Sequence, residues 1–159
     1  EQVIPALRVK SKKQMLQELS QQASDRLGIA QRAIFETLLQ RESLGSTGIG
    51  RGVAIPHARL ANLTDVFCLF ARLEEPIEFD SSDREPVDLI FLLLAPETAG
   101  ADHLKALARI SRLLREPATF ASWLPSPATI TKARWTTPSS SPTLPAASMR
   151  VDSAILAVV

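Results

Sequence analysis

Four of the chain's six glycines fall within the eight residues Gly45-Ser46-Thr47-Gly48-Ile49-Gly50-Arg51-Gly52, and this cluster constrains the fold more than any other stretch. Glycine is costly in a helix interior and permissive at positive φ, so the segment reads as a tight connector and not as regular helix. The next five residues are equally restrictive. Val53-Ala54-Ile55 reads as a short strand. Pro56 then biases Ile55 toward extended geometry and has no N–H of its own, so His57 is expected where the strand stops pairing.

The flanks supply the remaining elements. Ser11-Lys12-Lys13-Gln14 is a capping box, and Leu16, Leu19, Ala23 and Leu27 recur on one helical face before Gly28, which predicts a helix over 12–27. Ala33, Ile34, Phe35, Leu38 and Leu39 mark a second helix over Ala30–Glu42, close enough to the first to form a helical hairpin. Val66–Leu73 is a β-rich run, and Val87–Ala95 is nearly all apolar, as a central strand covered on both faces should be. Leu104, Leu107, Ser111 and Leu114 share one face of a third helix over 102–115, with Asp102 as its N-cap. The expected fold class is α/β, a mixed β-sheet flanked by helices in a single domain.

Length and charge bound the function. A chain of 159 residues has room for one core, and 18 basic against 17 acidic residues give no electrostatic warrant for nucleic acid or an anionic membrane. The longest apolar run, Leu89–Ala95, is far short of the roughly 18–20 residues of a membrane helix, so no membrane insertion is expected. A single cysteine, Cys68, excludes an internal disulfide and fits a reducing, cytoplasmic setting. The opening residues have no apolar core of the kind a secretion signal needs, and because the chain opens on Glu1, a start upstream of it is expected. From Pro125 to Ser148, 19 of 24 residues are Pro, Ser, Thr or Ala, which predicts no long helix and little core there.

The two histidines, His57 and His103, both lie at element boundaries beside turn residues. The glycines and proline before His57 allow close approach of a large group, and His103 falls in the first turn of its helix, where unpaired amides favour an anion. If the fold joins them, one imidazole can act as a nucleophile while the other orients a phosphoryl group. Competing chemistries fail on their key residues. The glycine cluster runs into Arg51-Gly52 where a nucleotide-phosphate loop needs Gly-Lys-Ser/Thr, and Val53 and Ile55 stand where a dinucleotide fingerprint needs its third glycine. Leu44 occupies the first glycine position of a serine-hydrolase elbow around Ser46, and two histidines 46 positions apart with one cysteine give a metal site little support.

The run from Leu38 to His57, with Leu38-Leu39-Gln40-Arg41-Glu42-Ser43 ahead of the glycines and Val53-Ala54-Ile55-Pro56-His57 behind them, resembles the signature of the mannitol/fructose-type IIA domains of the bacterial phosphoenolpyruvate-dependent phosphotransferase system, and among these the nitrogen-regulatory IIA proteins. Glu75-Pro76-Ile77, Phe79-Asp80, Pro86-Val87-Asp88-Leu89 and Asp102-His103-Leu104 match in order and spacing, so the likeness runs from about Val3 to Arg115. The resemblance implies a phosphocarrier that accepts a phosphoryl group on His57 from a phosphohistidine of an HPr-like donor protein. It implies His103 and Arg41 as supports and leaves Ser46 and Thr47 as hydroxyl donors or turn formers. No metal or organic cofactor is implied. A regulatory role through target proteins that the sequence leaves unidentified is favoured over sugar transport, with a non-catalytic interaction module of the same fold as the alternative. On this reading residues 1–116 form the IIA-type domain, and 117–159, with a single acid at Asp152, form an atypical C-terminal segment.

Overall fold

The computed structural model describes residues 3–115, with the main chain alone described at 101–104, 106 and 113–115. In chain order the elements are β1 (Val3–Leu7), α1 (Lys12–Leu27), α2 (Gln31–Ser43), β2 (Gly48–Gly50), β3 (Val53–Ala54), β4 (His57–Leu60), β5 (Phe67–Ile77), β6 (Val87–Pro96), a 3-10 turn (Glu97–Ala99) and α3 (Gly100–Arg115). The described residues up to Ala108 belong to one compact unit, and a second unit begins at Arg109. The Pro/Ser/Thr/Ala-rich segment of 117–159 lies outside the described residues.

The α1 boundaries follow from its ends. Ser11 Oγ accepts from the Gln14 amide at 3.2 Å, and Gln14 Oε1 reaches back to the amide of Lys10 at 2.9 Å, one residue before the cap. Gly28 closes the helix in the left-handed region, at φ 68°, with its N–H on the Ser24 carbonyl. Met15, Leu16, Leu19 and Ala23 of α1 and Ile34 and Leu38 of α2 are all at most 1 % exposed. They share one core with Leu69, Ala71 and Leu73 of β5 and Ile90, Leu92 and Leu94 of β6. Each such large side chain contributes about 1.5–3 kcal/mol by leaving water.

The sheet is mixed, in the order β1-β5-β6-β3-β2, with β4 also paired to β6. β6 is the central strand predicted from its apolar run: β5 lies antiparallel on one side, and β3 and β4 lie parallel on the other. Its second face is buried as well, through Leu89, Phe91 and Leu93, beside Cys68 and Phe70 of β5. Burial pushes the Cys68 thiol up to about 12, which keeps it an unreactive core group.

Three local expectations need correction. Pairing does not end at His57; β3 pairs with Leu89 and Ile90, the strand lapses at Ile55-Pro56, and β4 resumes along β6 in the same register with His57 opposite Leu93. The Pro56 carbonyl accepts from the Leu93 amide at 2.9 Å, so the proline interrupts the ladder without ending it. β5 runs on to Ile77, four residues past the expected end. α3 begins at Gly100, directly after the 3-10 turn, so Asp102 falls inside the first turn and not at the N-cap position. Among the described residues no helix is long and apolar enough to cross a membrane.

Candidate functional site

The glycine cluster folds into the β2–β3 hairpin. Arg51 and Gly52 form its two-residue turn with φ of 57° and 77°, the pair of positive values that a type I′ turn requires. An arginine in that region is held from outside, since its N–H donates to Asp83 Oδ2 at 2.7 Å. This bond and a second one from the Glu85 amide lower the Asp83 carboxyl below the ordinary range. Gly48 is required by packing and not by φ: a Cβ there would stand 2.8 Å from the Cβ and 2.9 Å from the Cα of Ser81.

Two converging elements build the site. α2 delivers Arg41 in its last turn, and the break between β3 and β4 delivers His57. Arg41 Nε donates to His57 Nε2 at 3.0 Å, while Arg41 Nη1 donates to the Gly45 carbonyl at 3.0 Å. On the other side of the ring, His57 Nδ1 lies 2.8 Å from the Ile55 carbonyl. A carbonyl only accepts, so the proton sits on Nδ1 and the lone pair on Nε2. Burial lowers the His57 pKa from the ordinary histidine value, and the Arg41 charge lowers it further, against opposing effects of the Ile55 carbonyl and Glu42. The result is a half-buried neutral imidazole with its lone-pair nitrogen against a guanidinium.

The other expected site residues separate into two groups. The hydroxyl hydrogens of Ser46 and Thr47 are engaged by the segments on either side of the loop: Ser46 Oγ donates to the Phe79 carbonyl at 2.7 Å, and Thr47 Oγ1 donates to Glu42 Oε2 of α2 at 2.6 Å. His103 falls on the first turn of α3, and its side chain lies outside the described residues. Among the described residues, no group of three or more His, Cys, Asp and Glu side chains is placed to hold a metal ion.

Residues 1–130 match the family model described as phosphoenolpyruvate-dependent sugar phosphotransferase system, EIIA 2. The chain belongs to this family. It is 64 % identical over 116 residues to a nitrogen regulatory protein of Bradyrhizobium diazoefficiens, a match that covers 73 % of this chain and 76 % of the relative. Among solved structures, the nitrogen regulatory protein IIA-Ntr of Neisseria meningitidis superposes with a TM-score of 0.74 at 35 % identity, covering 83 % of this chain and 91 % of that one. The mannitol IIA of Escherichia coli shares the fold, with a TM-score of 0.63 at 14 % identity over 82 % of this chain and 94 % of that one.

Beneath this IIA site lies a group that the motif alone does not single out. Glu42, next to Arg41, is only 9 % exposed. It accepts from the Thr47 amide at 3.0 Å and from the Thr47 hydroxyl, and it pairs with Lys12 Nζ at 2.9 Å. Lys12 in turn reaches Asp80 at 3.1 Å and stands 4.5 Å from the centre of the Phe79 ring. A signal for Glu42 was present. A carboxylate in the last turn of a helix faces the negative end of the helix dipole, so it needs a specific partner to be stable there.

Proposed function

We propose that this IIA domain is a phosphocarrier of nitrogen-type phosphotransfer regulation that accepts a phosphoryl group on His57 Nε2. The observation that carries the reading is the His57 ring held from both sides, its Nδ1 on the Ile55 carbonyl and its Nε2 against Arg41. The donor is a phosphohistidine on an HPr-like protein. The Nε2 lone pair forms the new P–N bond as the donor's P–N bond breaks and its electron pair returns to the donor ring. Positive charge then develops on the His57 ring, where the Nδ1–H already points at a carbonyl oxygen. Arg41, displaced from Nε2 by the incoming phosphorus, turns its N–H groups onto the phosphoryl oxygens, where charge concentrates in a loose transition state.

His103 enters as a second support through the family resemblance. Ser46 and Thr47 act through the shape of the loop. The chain is a phosphotransferase in this sense, works in the cytoplasm, and signals to target proteins by its phosphorylation state; the similarity to nitrogen regulatory proteins supports a regulatory role over sugar uptake. The test is the intact mass of the full chain after incubation with phosphoenolpyruvate, enzyme I and an HPr-type donor, beside His57→Ala and His103→Ala variants. One phosphate gained by the parent and lost in His57→Ala supports the reading. A folded chain that gains none from a demonstrably charged donor refutes it and leaves a binding module of the same fold.

A further inference from the structure

The carboxylate of Glu42 is an expensive group to bury. It sits at the unfavourable end of α2, and without partners the loss of its hydration would be costly. Lys12 supplies a countercharge, which accounts for its tolerance but not for its aim. The aim is toward Thr47: two Thr47 donors, the amide and the hydroxyl, converge on the two carboxylate oxygens. Thr47 in turn passes the constraint on, because its carbonyl accepts from the Ile55 amide at 3.0 Å. The next peptide plane carries the Ile55 carbonyl, which is the partner of His57 Nδ1 at 2.8 Å. A continuous line of hydrogen bonds therefore runs from α2 through the loop to the imidazole, and Arg41, which meets the opposite nitrogen, is the chain neighbour of Glu42.

We propose that Glu42 is a positioning residue for phosphoryl acceptance: through Thr47 and the Ile55 carbonyl it holds His57 in the tautomer that puts the lone pair on Nε2. The proposal rests on the reading of His57 as the phosphoryl acceptor. Glu42 touches neither the ring nor the phosphate, so its effect is read at the ring. With Glu42 truncated, the Thr47 amide and hydroxyl lose their acceptor, the loop slackens, and the Ile55 carbonyl no longer fixes the proton on Nδ1. A ring with its proton on Nε2 cannot attack through that nitrogen until it exchanges the proton.

The experiment uses the full chain and three variants, Glu42→Ala, Glu42→Gln and Thr47→Val. Two quantities are read: the tautomer ratio of neutral His57, from the two ring nitrogen shifts in proton–nitrogen correlation spectra with no donor present, and the initial rate of phosphoryl acceptance from a charged HPr-type protein. Glu42→Ala shifts the ratio toward the Nε2–H form and slows acceptance about tenfold to a hundredfold, the size expected when a reacting group is held loosely. Glu42→Gln recovers most of both, because its carbonyl oxygen can still take the Thr47 amide while its NH2 donates to the Thr47 hydroxyl. Thr47→Val, which keeps the amide and the side-chain shape, gives intermediate values.

A folded Glu42→Ala with the parent's tautomer ratio and rate overturns the proposal. Should that variant not fold, parent values of both readouts in Thr47→Val overturn it instead. A slower Glu42→Ala with an unchanged tautomer ratio assigns Glu42 a general structural role and also overturns it. A parent chain that takes no phosphate on His57 refutes the functional reading itself, and the donor-free spectra then report separately whether Glu42 orients the ring.

Discussion

Replacing Arg41 by alanine has two effects of opposite appearance, and the structure sets the size of each. Burial is the leading cause of the low His57 pKa, but the Arg41 charge adds to it, so Arg41→Ala raises the pKa of His57. At a pH well above the ring's titration, both proteins hold the neutral imidazole and the difference in acceptance rate belongs to Arg41 alone. An oriented donor on the charge of a transition state contributes about 2.7–4 kcal/mol. Arg41 also stabilises the ground state through its bond to Nε2, at 3.0 Å, and this must be released before attack. A hydrogen bond involving a charged group contributes about 1.5–3 kcal/mol, so with the two ranges matched end to end about 1 kcal/mol is left for the rate, or about fivefold. Arg41→Lys recovers part of this, because one ammonium cannot serve both Nε2 and the Gly45 carbonyl in the fixed fork that Arg41 uses. The assay is single-turnover transfer from a charged HPr-type donor, with a proton-resolved titration of His57 in parallel. A folded Arg41→Ala that accepts phosphate at the parent rate, or whose His57 titrates at lower pH than the parent, refutes the assignment.

Gly48→Ala drives a Cβ onto the Ser81 backbone at 2.9 Å and to 3.2 Å from the Phe79 ring, so the loop after β5 has to shift. The expected loss is about 1–3 kcal/mol in denaturant unfolding, and an unchanged midpoint contradicts the packing described. The direction of the His57 shift also fixes a pH dependence. With the folded value below the unfolded one of about 6.5, the unfolded chain binds more protons in the interval between them. The contribution of His57 to stability is therefore complete above the unfolded value and is lost as pH falls through the folded one. Acceptance rates follow the same ring and fall to half only below about pH 6.5. A rate already halved at or above that pH contradicts the buried, Arg41-facing ring.

How far the sequence could be read depended on whether a feature was local. α1 was legible to the residue because its signals, the Ser11–Gln14 box and Gly28, act within one turn of the helix ends. β6 was legible because burial on both faces leaves an unbroken apolar run. β1 was not: its five residues, Val3-Ile4-Pro5-Ala6-Leu7, are all apolar with no alternation and carry a proline, and their strand character comes from parallel pairing with β5, some 66 residues away. The return of pairing at His57 was hidden for the same reason, since it depends on Leu93 and Leu94 of β6 lying alongside. In the site, the types of His57 and Arg41 and their place in the motif pointed to phosphoryl chemistry, but the tautomer could be read only from the Ile55 carbonyl and the Arg41 donor. Glu42 stood in plain view beside Arg41. Its role depends on Thr47 turning back over the end of α2, which no local pattern announces.

The central claim is that His57 accepts a phosphoryl group through Nε2 while the Ile55 carbonyl keeps the proton on Nδ1. Ring nitrogen shifts of His57, recorded before and after charging with phosphoenolpyruvate, enzyme I and an HPr-type donor, test it most directly. The account predicts a neutral Nδ1–H ring before charging and a phosphorus-coupled Nε2 afterwards. A phosphorus-coupled Nδ1, or phosphate on any residue other than His57, contradicts it.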